Sequence, residues 1–83
     1  MAGDKDKNDL KEEILRRVGR IRRRIGESDM SESQKRDARK LLEDIDDATL
    51  SFRSTNNARA AKISKNLIDP IFKKLANLGL PTR

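Results

Sequence analysis

The sequence predicts an all-α protein: a helical hairpin followed by a short third helix. Apolar residues recur every three or four positions over most of residues 9–79, the spacing of one helix face. Pairs of the form Asp/Ser-x-x-Glu/Gln stand just before those runs, as they do at helix starts. No segment alternates apolar and polar residues as a half-buried strand would.

Residues 1–8, MAGDKDKN, are charged and without pattern, and read as a disordered N-terminal tail. A single helical domain then covers 9–80. Asp9 with Glu12 forms a capping box that opens helix 1, at about 9–25. Leu10, Ile14, Val18, Ile21 and Ile25 make its apolar stripe, and Gly26 is a natural stop. The segment ESDMSES is a turn, closed by a second capping box of Ser31 and Gln34.

Helix 2 is expected over about 32–68, with Ala38, Leu41, Leu42, Ile45, Ala48, Phe52 and later Ile63 and Leu67 on its apolar side. No Gly or Pro interrupts it. At 1.5 Å per residue it would be on the order of 50 Å long. So long a rod suits either an extended dimer or a local break near Asn56-Asn57. Asp69-Pro70 then supplies an N-cap and a first helical residue for helix 3, about 70–78. Ile71, Phe72, Leu75 and Leu78 give that helix a face, and Gly79-Leu80 fits a Schellman ending before Pro81.

The 83 residues are only 34% apolar, with Phe52 and Phe72 the sole aromatics. A core so thin is marginal in a chain of this size, and self-association into a homodimer is the simplest remedy. There is no Cys for disulfides or thiolate metal sites, and no run of membrane-spanning length, so the chain reads as cytoplasmic with no membrane partner. Without His, Cys or Tyr, the usual nucleophiles and near-neutral proton carriers are missing. No enzyme, cofactor, metal or small-molecule substrate is expected. Glu43 and Asp47 share a helix face as two metal ligands could, but the acidic run 43–47 reads as a solvated face pairing with helix 1 arginines.

Net charge is +6, and its location is informative. Acids and bases balance over residues 1–50. Beyond them Arg53, Arg59, Lys62, Lys65, Lys73, Lys74 and Arg83 face Asp69 alone. Such asymmetry points to a polyanion, nucleic acid first. The stretch "SFRSTNNARAAKISK", residues 51–65, has no acid at all. On one continuous helix Ser51, Ser54, Thr55, Ala58, Ala61, Lys62 and Lys65 would form a ridge of small and cationic side chains. Small residues allow close approach, hydroxyls can bond phosphate or ribose oxygens, and lysines neutralise charge. The same ridge would equally serve as a tight helix-packing seam, with Asn56 setting a dimer register.

Helix 1 offers a second cationic face. Arg16, Arg20, Arg23 and Arg24 lie nearly opposite its apolar stripe, while Arg17 and Arg22 flank it. Arginine's planar fork suits phosphate, although a face balanced by helix 2 acids would look alike. Single-strand RNA readers stack bases on aromatic rings, which this chain lacks, and no major-groove recognition scaffold is legible. A long rigid helix pair suits double-stranded RNA recognised by shape, with duplex DNA bound without sequence preference as the alternative.

The turn "MSESQ", the segment "KRDARKLLEDI", the polar and basic "RSTNNARAAK", and "NLIDPIFKKLANLG" together resemble, in layout, the small non-structural double-stranded-RNA-binding proteins of nodaviruses, suppressors of host RNA silencing. The resemblance implies a helical hairpin with a short third helix, paired as an antiparallel four-helix-bundle homodimer along the RNA, in host cytoplasm. It implies sequence-independent backbone binding by Arg53, Arg59, Lys62 and Lys65, with Ser54 and Thr55 as hydroxyl donors and Arg16, Arg20 and Arg23 in support. A helical protein-interaction adaptor and a small phage or plasmid nucleic-acid-binding regulator are the alternative readings.

Overall fold

The computed structural model describes residues 6–80, all helix and turn, with no strand among them. Three helices form an up-down-up bundle measuring 45 × 20 × 17 Å.

Helix α1 (Lys7–Glu27) begins earlier than the capping box suggested. Asp6, not Asp9, is its N-cap, its carboxylate accepting the Asn8 N–H at 2.7 Å. Lys7 and Asn8, expected in the tail, are therefore helical; residues 1–5 lie outside the described residues. The helix also runs through Gly26 to a cap at Ser28, whose hydroxyl and N–H both donate to the Ile25 carbonyl. Gly26 and Glu27, the two residues beyond the last apolar position, need no core to hold them once the Ile25 carbonyl is satisfied. The stripe itself is as expected: Ile14, Val18, Ile21 and Ile25 are buried.

Helix α2 (Glu32–Leu50) opens on the Ser31–Gln34 capping box, with both reciprocal hydrogen bonds formed. It then departs from the expected rod. After Leu50 the chain tightens into a 3₁₀ turn, Ser51–Ser54, and Thr55 turns extended. Asn56 starts a new helix by accepting the Arg59 N–H on its side-chain oxygen at 2.8 Å. The break falls at the Asn56-Asn57 site, and it excludes a single helix over 32–68. No Gly or Pro is needed, because Asn is among the strongest N-caps.

From Asn56 the third helix, α3 (57–77), is continuous: an α segment Asn57–Ile63, a π turn Ser64–Ile68, and an α segment Asp69–Asn77. Asp69-Pro70 is thus not a helix start. Asp69 is itself helical, with φ −57° and ψ −42°, and its N–H reaches back five residues to the Ser64 carbonyl. The wider turn suits Pro70, which has no N–H and would otherwise press its ring on a carbonyl one turn back. It also brings the core into phase. Ala60 and Phe72, both buried, would stand about 120° apart on an uninterrupted α-helix, and about 20° apart once one residue is absorbed. The Gly79-Leu80 ending is a Schellman motif as expected: Leu80 N–H donates to Leu75 O, Gly79 N–H to Ala76 O, and Gly79 has φ +90°.

The two ends of α1 mark its orientation. Lys7 donates its backbone N–H to Asn57 Oδ1 at 3.0 Å, and its ammonium to the carbonyls of Thr55 (2.7 Å) and Arg53 (3.4 Å). At the far end Arg24 and Gly79 line one shallow depression. Helices α1 and α3 are therefore parallel, with α2 antiparallel to both. Fourteen buried apolar residues from all three helices, including Ile21, Leu42, Ile45, Phe52, Ile68 and Leu75, form one core.

Candidate nucleic-acid interface

The break at Thr55 dismantles the expected ridge. Ser51 and Ser54 belong to the 3₁₀ end of α2, while Ala58, Ala61, Lys62 and Lys65 belong to α3. The polar run is instead a corner, in which Asn56 caps α3 and Asn57 holds the start of α1. Its hydroxyl protons are also committed: Ser54 Oγ donates to Ser51 O at 3.3 Å and Thr55 Oγ1 to Phe52 O at 3.2 Å. To donate to a phosphate, each would first have to release a backbone carbonyl. Ser54, Ala58 and Lys62 are nevertheless exposed, so this surface is not sealed within the chain.

The cations regroup. Arg59 and Lys62 line one open concavity with Asn56 and Ala58. Lys65 does not join them; the π turn places it in a groove between α3 and α1, with Lys73, Asp69 and Phe72 of its own helix and Arg17 of the other. There the Arg17 guanidinium carbon lies 3.8 Å from the centre of the buried Phe72 ring, a cation–π contact that gives the charge a fixed seat. Farther along the same groove come Arg24 and Gly79, with Glu27. Arg20, three residues from Arg17 and four from Arg24, shares their flank of α1 and is exposed. Arg16 and Arg23 are exposed on the outer side, and Arg53 is exposed at the end of α2.

The structure thus brings together Lys65, Lys73 and Arg17, sets Arg24 in the adjoining depression and Arg20 on the same flank of α1, and leaves Arg53 apart from them. Arg17, Arg24 and Lys73 were not among the residues assigned to RNA from sequence. Lys65, Asp69 and Lys73 follow at intervals of four, which was the available signal for one of them. Asp69 and Glu27 apart, the acids of α2 sit elsewhere. Glu43, Asp44 and Asp47 are exposed on α2, and Asp46 pairs with Arg22 at 3.3 Å on the α1–α2 side. The α1–α3 groove is therefore mainly basic, while the outer surface of α2 mixes acids with Arg36, Arg39 and Lys40.

The two aromatic residues, Phe52 and Phe72, are both buried, so neither offers a ring for base stacking. No helix among the described residues is long and apolar enough to cross a membrane. No family model, curated protein or solved structure matches the chain.

Proposed function

We propose that this protein binds duplex nucleic acid by its phosphates without reading base sequence, with double-stranded RNA its preferred form. The observation that carries the reading is the α1–α3 groove, where parallel helices line up Arg17, Lys65 and Lys73 with Asp69 as the acid among them. Arg16, Arg20 and Arg23 extend the positive surface over the outside of α1. Phosphate contacts of this kind position a protein on a duplex and carry no sequence information. Burial of both phenylalanines argues against a single-strand platform.

A homodimer belongs to the same proposal, because two grooves would double the number of neutralised phosphates. The narrower role, a viral suppressor that shields duplex RNA from the host's silencing machinery, requires that RNA be preferred over DNA of equal length. Gel mobility with duplex RNA, duplex DNA and single strands at two salt concentrations tests the duplex binding and the preference for RNA. The doubly substituted Lys65→Ala/Lys73→Ala protein is expected to bind every duplex more weakly. Its log–log salt slope should be shallower by about 0.9 for each phosphate it no longer neutralises, the B-DNA figure. A variant that binds as tightly as the parent would remove the groove from the reading. If the parent binds none of the nucleic acids, the adaptor alternative takes its place.

A further inference from the structure

The other flank of α3 has a different character. Ile63, Leu67 and Ile71 follow at four-residue intervals and form one row. Leu67 is 53% exposed, and Ile63 and Ile71 are only partly buried. Phe72, next to Ile71, meets Arg17 of α1, which turns the row toward the α2 side. Arg59 and Lys62 border it, sharing a concavity with Ile63 and Leu67, and exposed Lys74 lies three residues beyond Ile71. On α2 the Arg22–Asp46 pair marks the flank that faces α1. Partly buried Leu41 is about 140° round from Asp46, on the flank toward α3. Exposed Asp37 and Asp44 bracket it, four residues before and three after, with Lys40 farther out. A single face therefore has an apolar centre, aspartates along α2 and cations along α3.

We propose that this α2–α3 face is the docking site for a second copy of the chain. The reading rests on the homodimer named above, and the argument for the occupant is charge. Helices α2 and α3 are antiparallel and carry opposite signs on this face. A two-fold axis running along them lays α2 of each copy on α3 of the other, acid on base twice over, with Leu67 inside. An axis across the helices would set acid on acid. Asp37 lies as many residues before Ser54 as Lys74 lies after Asn57, so the two stand at one level and meet between copies. Among the described residues neither has an ion-pair partner within its own copy. The α1–α3 groove of each copy stays open.

Sedimentation equilibrium of the full chain, across a wide concentration range at low and high salt, tests this. The parent is expected to dimerise, less tightly in high salt. Leu67→Asp should raise the dissociation constant about tenfold or more, with helicity and unfolding unchanged because Leu67 is exposed in the single copy. Lys74→Asp should weaken the dimer, and Asp37→Lys added to it should restore association, a rescue that generic surface damage would not produce. A parent that sediments at 9.5 kDa throughout overturns the proposal, as does a dimer indifferent to Leu67→Asp or a swapped pair that fails to recover. The Lys65→Ala/Lys73→Ala protein should dimerise like the parent. Its loss or retention of duplex binding therefore judges the groove alone.

Discussion

The two flanks of α3 are made from one helix and have opposite finishes. Toward α1, Phe72 is buried beneath the Arg17 guanidinium, and Lys65, Asp69 and Lys73 form a charged rim around it. Toward α2, Ile63, Leu67 and Ile71 run along a flank where Leu67 is left more than half exposed in the single copy. The difference separates two kinds of apolar residue. Phe72 holds the bundle together, whereas Leu67 contributes little to it and remains available for contact with another molecule.

The comparison can be broken most sharply at its two apolar centres. Phe72→Ala should cost about 3–5 kcal/mol of stability in urea unfolding, since it empties a core position and removes the seat of Arg17. Equal losses from Phe72→Ala and Leu67→Ala in dilute solution would erase the distinction. Asn56→Ala, at the corner where both flanks begin, should cost about 1 kcal/mol through loss of the α3 cap. Arg22→Ala tests a pair remote from either flank; with Arg22 exposed and Asp46 partly so, it should cost less than about 1 kcal/mol. Leu67→Ala itself should change monomer stability by no more than about 0.5 kcal/mol. On the cationic side, Asp69→Asn should tighten duplex binding at low salt, because it removes a negative charge from among the lysines; weaker binding would mean that Asp69 orients them instead.

What could be read from the sequence was what neighbouring residues decide among themselves. The Ser31–Gln34 box, the Leu10–Ile25 stripe and the Schellman ending at Gly79 each need only a few adjacent positions, and each stands as expected. The start of α1 was misplaced because Asp9–Glu12 has the full capping-box pattern, whereas Asp6 caps the helix alone, by accepting the Asn8 N–H. The third helix was misread for a deeper reason. A break near Asn56-Asn57 is one of two readings of the long rod, and it is the corner closed by Lys7 and Asn57 that decides for it. Pro70 looks like a start until Ala60 and Phe72 are known to share a core, since only that shared burial demands the spare residue of the π turn.

The groove was half legible for the same cause. Lys65 stood out in an acid-free stretch, but its neighbours Arg17 and Lys73 are set by how α1 lies on α3. That packing is a tertiary fact with no local signature.

The spare residue in Ser64–Ile68 has an implication for how the gene can change length. Removing one codon inside a helix normally turns every later side chain through about 100°, and the buried face goes with it. In this chain a codon deleted at exposed Asn66, together with Pro70→Ala, would leave Ala60 and Phe72 on the same side of an ordinary helix. A chain shortened in this way is expected to keep its core, and the lost residue would lie between the two halves of the helix that carries both candidate surfaces.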